Sequence, residues 1–252
     1  MEEVVAKTDL ENALNHKYKV YSTGDFVPGV TSVIGIVDKP ALKWASAKIA
    51  ARTAAENIHE MTDLDEYVKE CTGEFDRQWR EKAKRGNRVH EVAEKWARGE
   101  TAEVPHSDQG FVDALASFYS DHSPVTVMAE RVVIHSLMHY GGRFDAIVEM
   151  DGGRYLIDYK TGGHYPIDVA MQASAYMKAM LANYDDEGRI GHFSRLPDLD
   201  GARIIYLGED GSYEVVDPFA AITLEDAFSA FTHALMLYRS IKTMEKLTKG
   251  MK

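Results

Sequence analysis

The rhythm of apolar and polar residues changes several times along the chain. Residues 17–34 (KYKVYSTGDFVPGVTSVI) alternate and are punctuated by Gly24-Asp25 and Pro28-Gly29, the pattern of a β-hairpin running into a short connector. Beyond Pro40 the spacing becomes helical. Ala41 to Asn57 is rich in Ala and Lys, and between Glu74 and Gly99 the apolar residues Val89, Val92, Ala93 and Trp96 recur at intervals of one helical turn. Residues 108–120 predict another helix. From Val125 to Lys160 alternation returns in three strand-like runs, VTVMAERVVI, MHYGGRFDAIVEM and GRYLIDYK. Pro166 opens a helix predicted to reach about Asn183, strands follow near 202–207 and 213–217, and a closing helix covers roughly 219–247. The order predicts a single α/β domain over 1–252, mainly helical in 39–122 and with its α/β core in 125–217.

Composition narrows the function classes. The 252 residues are 45% hydrophobic, enough for a large core, and 29 Lys and Arg against 40 Asp and Glu leave a net charge of −11, which excludes a DNA coat held by charge alone. One cysteine, Cys71, excludes an internal disulfide framework and a cysteine-built zinc or iron–sulfur cage within one chain. No basic-then-apolar leader opens the sequence and no run of 18 apolar residues occurs, so a soluble, cytoplasmic protein without membrane partners is expected. The G-x-x-x-x-G-K-[ST] phosphate loop is absent, and no nucleotide is expected as cofactor. His135 and His139 fall in strand-like sequence, where a spacing of four makes no helical ligand pair.

The acidic total conceals two basic stretches. Lys39 to Arg52 carries four basic residues and no acidic one, and Arg77 to Arg98 carries eight basic against three acidic. Both suit solvated helix faces. They also suit a groove that tracks phosphates, with Lys43, Lys48, Arg85 and Arg88 as candidate DNA contacts.

Gly142 to Lys160 carries the candidate chemistry. If Asp151-Gly152 form a two-residue turn, Met150 faces Gly153 and Asp145 faces Asp158; if the turn is Gly152-Gly153, Asp145 faces Lys160. In either register, alternation keeps Asp145, Asp158 and Lys160 on one face, with Phe144, Ala146, Val148, Tyr155 and Ile157 on the other. Facing carboxylates repel by about 0.2–1 kcal/mol when solvated and more when buried, so a cation belongs between them: the Lys160 ammonium, a divalent metal held by hard oxygens, or both. An Asp-x-Lys alone suits an ion pair on an exposed hairpin equally well. Its company here is Gly-x-x-Asp upstream, Lys160-Thr161-Gly162 at the strand end, and Gln172 and Tyr176 on one face of the following helix.

In this order the residues resemble the PD-(D/E)xK nuclease superfamily and, within it, the RecB-like branch common in phages. That branch shows a His on a helix, Gly-x-x-Asp, a hydrophobic run ending in Asp-x-Lys-Thr, and a helix with Gln-x-x-x-Tyr. The matching residues are His90, Asp145, Asp158 with Lys160-Thr161, and Gln172 with Tyr176. Val30-Thr31-Ser32-Val33 and Lys39-Pro40-Ala41-Leu42-Lys43-Trp44 are similar to the N-terminal region of phage members, so the resemblance spans roughly residues 20–185. It implies a restriction-endonuclease-like α/β core, a central mixed sheet flanked by helices, with a helical N-terminal portion. The implied activity is a Mg²⁺- or Mn²⁺-dependent DNA exonuclease leaving 5′-phosphates, in phage recombination or DNA processing in the host cytoplasm. DNA is the implied partner, with a homo-oligomer and a single-strand annealing or other recombination protein as further candidates. His90, Asp145, Asp158 and the Tyr159 carbonyl are the implied metal ligands, with Glu94 in reserve. Lys160 would orient or deprotonate the attacking water, and Gln172 and Tyr176 would position it. Glu130 is a further ligand candidate, read first as the partner of Arg131 or a helix lysine. Iron–sulfur members use four cysteines, so no cluster is expected here. Two readings compete: a structure-specific endonuclease with the same centre, and an inactive DNA-binding or assembly module.

Overall fold

The computed structural model describes residues 9–19 and 26–249. Helix α1 (Asp9–Leu14) leads into β1 (Tyr18–Lys19) and β2 (Phe26–Val27), which pair antiparallel, Tyr18 with Val27. The expected hairpin therefore forms, its Gly24-Asp25 turn lying outside the described residues. It ends earlier than the alternation suggested: Val30–Ile34 is a short helix, α2. Val30, Val33 and Ile34, spaced at one helical turn, are the residues it buries.

The long helices carry their own start and stop signals. α3 (Pro40–Glu56) begins at a proline, whose fixed φ and missing N–H suit a first turn. α4 (Leu64–Ala97) is capped by the Asp63 carboxylate, which accepts from the Glu66 N–H at 2.9 Å, and Asp65 and Glu66 complement its positive end. It stops just before Gly99, which takes φ +74°. α5 (Gln109–His122) ends at Ser123, φ +44°, followed by Pro124. β3 (Val125–His135), β4 (Tyr140–Met150) and β5 (Gly153–Lys160) follow as expected, and Asp151 and Gly152, with φ of +52° and +80°, make the tight turn between the last two.

The predicted helix from Pro166 to Asn183 is shorter. α6 (Pro166–Met177) closes there, and Met180–Tyr184 is a strand, β6, paired with β3 through Val133–Leu181 and Ile134–Met180. Local spacing could not distinguish the two; the pairing partner lies nearly fifty residues upstream and wins by burying Leu181 and Ala182 in the sheet. β7 (Ile190–Ser194), which the sequence pattern did not predict, hairpins onto β6 around an Asp185 side chain that accepts from the Glu187 and Arg189 N–H groups. β8 (Gly201–Leu207), β9 (Tyr213–Val216) and α7 (Leu224–Lys249) complete the order, α7 capped by Thr223 Oγ1, 3.0 Å from the Asp226 N–H.

Seven strands form one mixed sheet in the order β7-β6-β3-β4-β5-β8-β9, antiparallel except for β5 and β8. That parallel pair requires a crossover, which α6 and the β6–β7 hairpin supply. One face packs against the C-terminal half of α4 and α5 through Val89, Val92, Phe118, Val148, Ile157 and Ile205. The other packs against α2, α6 and α7 through Val33, Tyr140, Ile147, Leu156, Tyr176 and Phe231. α3 buries no residue and lies along the N-terminal half of α4, the Tyr67 hydroxyl donating to the Ala54 carbonyl. These two helices form an arm beyond the sheet. Among the described residues no helix is long and apolar enough to cross a membrane.

Candidate active site

The β4–β5 ladder settles the register. Met150 faces Gly153 and Ala146 faces Ile157, so the turn is Asp151-Gly152 and the next residues toward the open end are Asp145 and Asp158. Strict alternation, however, fails at this point. Phe144 packs with Ile147 and Leu156 on the α6–α7 side, whereas Ala146 packs with Val148 and Ile157 on the α4–α5 side. The expected common faces are thus corrected: β4 changes parity between Phe144 and Ala146, so Phe144 leaves the face of Ala146, and Asp145 does not share the α6 side on which Asp158 and Lys160 meet Gln172. Asp145 consequently lies beside α4, its Oδ2 3.2 Å from His90 Nδ1 and accepting the Tyr159 N–H at 2.8 Å.

Opposite Asp145 on β3 stands Glu130, between the recorded pairs Ala129–Ala146 and Arg131–Phe144. Its φ of +50° is rare for a residue with a Cβ, and such strain persists where the surroundings hold it. Ligand atoms of His90, Glu130 and Asp145 all lie within 4.8 Å of one another. The expected Glu130–Arg131 pair does not form: Arg143 Nε binds Glu130 at 2.9 Å, and Arg131 binds Asn183 instead. Glu94 lines the same small cavity, tied to Arg98.

Asp158 is 4% exposed and belongs to a second, connected group. Its Oδ1 accepts from Gln172 Nε2 at 3.0 Å, and the same amide reaches the Tyr176 hydroxyl at 3.1 Å, so the α6 pair read from an i, i+4 spacing does face the strand end. Lys160 Nζ lies 2.5 Å from Asp158 Oδ2 and 3.4 Å from Gln172 Oε1. Oδ2 is buried, and the Lys160 ammonium is the cation that meets it. Tyr159 turns the other way, its ring edge-on to His90 and its hydroxyl toward Tyr119.

The charges are interlocked. Burial works against the Asp145 carboxylate, but His90, Lys160 and the Tyr159 N–H hold its carboxyl below the ordinary value. Burial pushes the Asp158 carboxyl up; Lys160 opposes the shift and the Asp145 charge adds to it. Burial also disfavours the Lys160 ammonium, and Asp158 and Asp145 more than compensate, so it stays charged. Burial and the Asp145 charge push Glu130 up to about 7.

The candidate DNA contacts are not gathered here. Lys43 pairs with Asp38, and Lys48 is exposed on α3. Arg85 lies over the Phe111 ring at 4.4 Å, and Arg88 Nε is 2.5 Å from Asp108, a carboxylate only 2% exposed. Both arginines thus tie α4 to α5 and its cap. A cavity of about 640 Å³ opens at the far end of the β4–β5 hairpin, near Asp151 and Asp200, away from these groups.

A helix-flanked mixed sheet with an Asp, an Asp-x-Lys and a histidine converging at one strand end defines a nuclease of the restriction-endonuclease-like fold. The family model for the PD-(D/E)XK nuclease superfamily matches residues 50–235, and the chain belongs to that superfamily. No curated protein matches it. Nucleases of this superfamily use divalent metals, and the residues present fit one: the two carboxylates and the imidazole of Glu130, Asp145 and His90 offer ligand atoms within 4.8 Å of one another, a donor set that suits a divalent cation.

The protonation pattern makes metal binding pH-dependent in a defined direction. Glu130, at about 7 in the fold against an ordinary 4.5, and His90, raised by Asp145 despite burial, both take up protons on folding. Their contribution to metal-free stability is present at low pH and lost as pH rises through the folded-state values. Asp145 has the opposite sign, but its depressed value places its loss below the usual carboxylate range. The metal-free protein is therefore expected to lose stability between about pH 5 and 8. Because ligands must shed those protons, the rise in Tm on adding Mn²⁺ should be larger at pH 8 than at pH 6. Calorimetry on wild type and Glu130→Gln checks this; a metal shift independent of pH, or unchanged in the variant, removes Glu130 from the site.

Proposed function

We propose that the chain is a metal-dependent DNA exonuclease acting in phage DNA recombination or processing, with residues 1–252 forming one nuclease domain. One observation carries the reading: the His90–Asp145 and Asp158–Lys160 pairs, from α4 and two strands, lie together at the open end of β5, linked through the bond from the Tyr159 N–H to Asp145. The order of His, Gly-x-x-Asp, Asp-x-Lys-Thr and Gln-x-x-x-Tyr supports the exonuclease branch.

His90, Glu130 and Asp145 would hold a Mg²⁺ or Mn²⁺ ion, with Asp158 Oδ2 and the Tyr159 carbonyl adjoining it. Bound there, the ion supplies Lewis acidity at the phosphate and a more acidic water. The chain's own residues do the rest. Lys160, kept protonated by the two aspartates, offsets charge developing on the phosphate and orients the attacking water; its raised pKa suits a charge donor better than a base. Gln172, bonded to Asp158, Lys160 and Tyr176, would hold the Asp158–Lys160 pair in one orientation. The products would be a 5′-phosphate and a 3′-hydroxyl.

Matched linear, nicked and closed-circular DNA, incubated with Mg²⁺, Mn²⁺ or EDTA and with wild type or Asp158→Ala, tests the proposal. Loss of linear DNA alone, abolished by EDTA and by the substitution, is expected. Cleavage of closed circles would make it an endonuclease, and no metal-dependent cleavage of any form would leave a binding or assembly module.

A further inference from the structure

Beyond Lys160 the chain turns through Thr161-Gly162-Gly163 and sets one more ring against the sheet before α6 begins. The His164 imidazole lies flat on Tyr206, the two planes 9° apart and the ring centres 3.8 Å apart. Tyr206 is the parallel partner of Lys160 across β5 and β8 and packs with Val169 of α6, so it shares with Lys160 the α6 side of the sheet. Neighbouring strands are about 5 Å apart, which sets the His164–Tyr206 stack one strand to the side of Lys160. Burial pushes the Tyr206 phenol up, the Tyr165 backbone and Lys160 oppose the shift, and Asp158 adds to it, so the stack belongs to the same electrostatic neighbourhood.

One face of the imidazole is taken by Tyr206, and its Nε2 edge stands 3.5 Å from a Glu214 carboxylate oxygen on β9. The His164 side chain is nonetheless 53% exposed, so what is open is chiefly the second face of the ring. A Cβ on Gly162 would meet nothing within 4 Å, and the loop before the ring is therefore open as well. A flat ring fixed from behind, free in front and one strand from Lys160, has the form of a base-stacking platform: aromatic faces hold nucleobases, and a ring already held in place has little freedom left to lose. Glu214 beside the ring disfavours a phosphate at this spot, since like charges repel, whereas a neutral base is indifferent to it.

We propose, resting on the nuclease reading above, that His164 is a substrate-binding residue whose open face stacks on the base of a nucleotide joined to the scissile phosphate, with Tyr206 as its backing. The phosphate lies at Lys160 and the base one strand to the side, so one nucleotide is held at two points and its phosphorus is fixed relative to Asp145 and Asp158. Every base has a π-face, and the platform therefore reads no sequence.

The test removes the base and the ring in turn. End-labelled oligothymidylate, intact or with one abasic sugar, is digested with Mn²⁺ by wild type, His164→Ala, His164→Phe and His164→Gln, and the products are resolved bond by bond. Wild type is expected to cut the bond beside the abasic sugar with a kcat/KM roughly tenfold lower, mainly through KM, because the stacked base is gone. His164→Ala should be slowed to a similar degree at every bond and be indifferent to the abasic sugar, and His164→Phe should recover both the rate and the penalty. The penalty is a ratio within each protein, so a loss of stability in a variant does not change it. An abasic penalty equal in wild type and His164→Ala overturns the platform, as does rescue by His164→Gln in place of His164→Phe, which would make the ring a hydrogen-bond donor. Absence of cleavage by wild type strikes the nuclease reading and the platform with it, whereas cleavage with equal penalties strikes the platform alone.

Discussion

Asp145→Asn is expected to leave a folded protein whose DNA hydrolysis is lower by about 10³-fold or more, because several kcal/mol of charge stabilisation at the phosphate are lost with the ligand. The amide oxygen still accepts the Tyr159 N–H, so the local backbone has its partner. What disappears is the charge that raises His90 and Glu130. Because the fold favours the ionised Asp145, the metal-free variant should melt below wild type at pH 8, while the rise on adding Mn²⁺ vanishes. Rates on end-labelled DNA, paired with melting curves with and without Mn²⁺, measure both. Activity within tenfold of wild type together with an intact metal shift would move the metal away from Asp145.

Arg88→Ala is expected to destabilise the fold by about 1–3 kcal/mol, the range for leaving a buried acceptor without its charged partner, since Arg88 itself is about a third exposed. Asp108, at the start of α5, would keep only a Ser107 contact at 3.3 Å for a carboxylate that is almost fully buried. Arg88 is the first cause holding that carboxyl below its ordinary value. The pair therefore adds stability above the usual carboxylate range and loses it as pH falls through the folded value, and the variant should show a flatter acid limb. Denaturant titrations at pH 7 and pH 4 test this. A stable variant that instead binds DNA more weakly, with a reduced salt slope, would restore Arg88 to the role its basic stretch suggested.

These two residues mark where sequence reasoning succeeded and where it stopped. Asp145 stood out because a tight turn near Asp151-Gly152 sets it across from Asp158 or Lys160 in either register, and two close carboxylates call for a cation. Arg88 looked like its basic neighbours because nothing local announces Asp108, twenty residues on, as a buried partner. Glu130 lies between these cases. Its place opposite Asp145 follows from counting back along β3 and β4 from the His135–Tyr140 pair, but its left-handed backbone and its choice of Arg143 over Arg131 depend on how the two strands twist. The β6 strand was misread as helix for a related reason: Met180–Tyr184 has no alternation of its own strong enough to outweigh the helical run before it, and becomes a strand only against β3.

By itself the sequence determined the helices with periodic faces, the tight turn that joins β4 to β5 in one of two registers, and the i, i+4 pairing of Gln172 with Tyr176. Those features depend on spacing along one or two neighbouring elements, where backbone periodicity dictates which side chains meet. The tertiary structure alone decided that β4 changes parity at Asp145, that Glu130 joins His90, that Arg85 and Arg88 serve α5, and that His164 lies flat on Tyr206. Each is a competition between partners distant in the chain, settled by burial and charge compensation that local sequence does not contain.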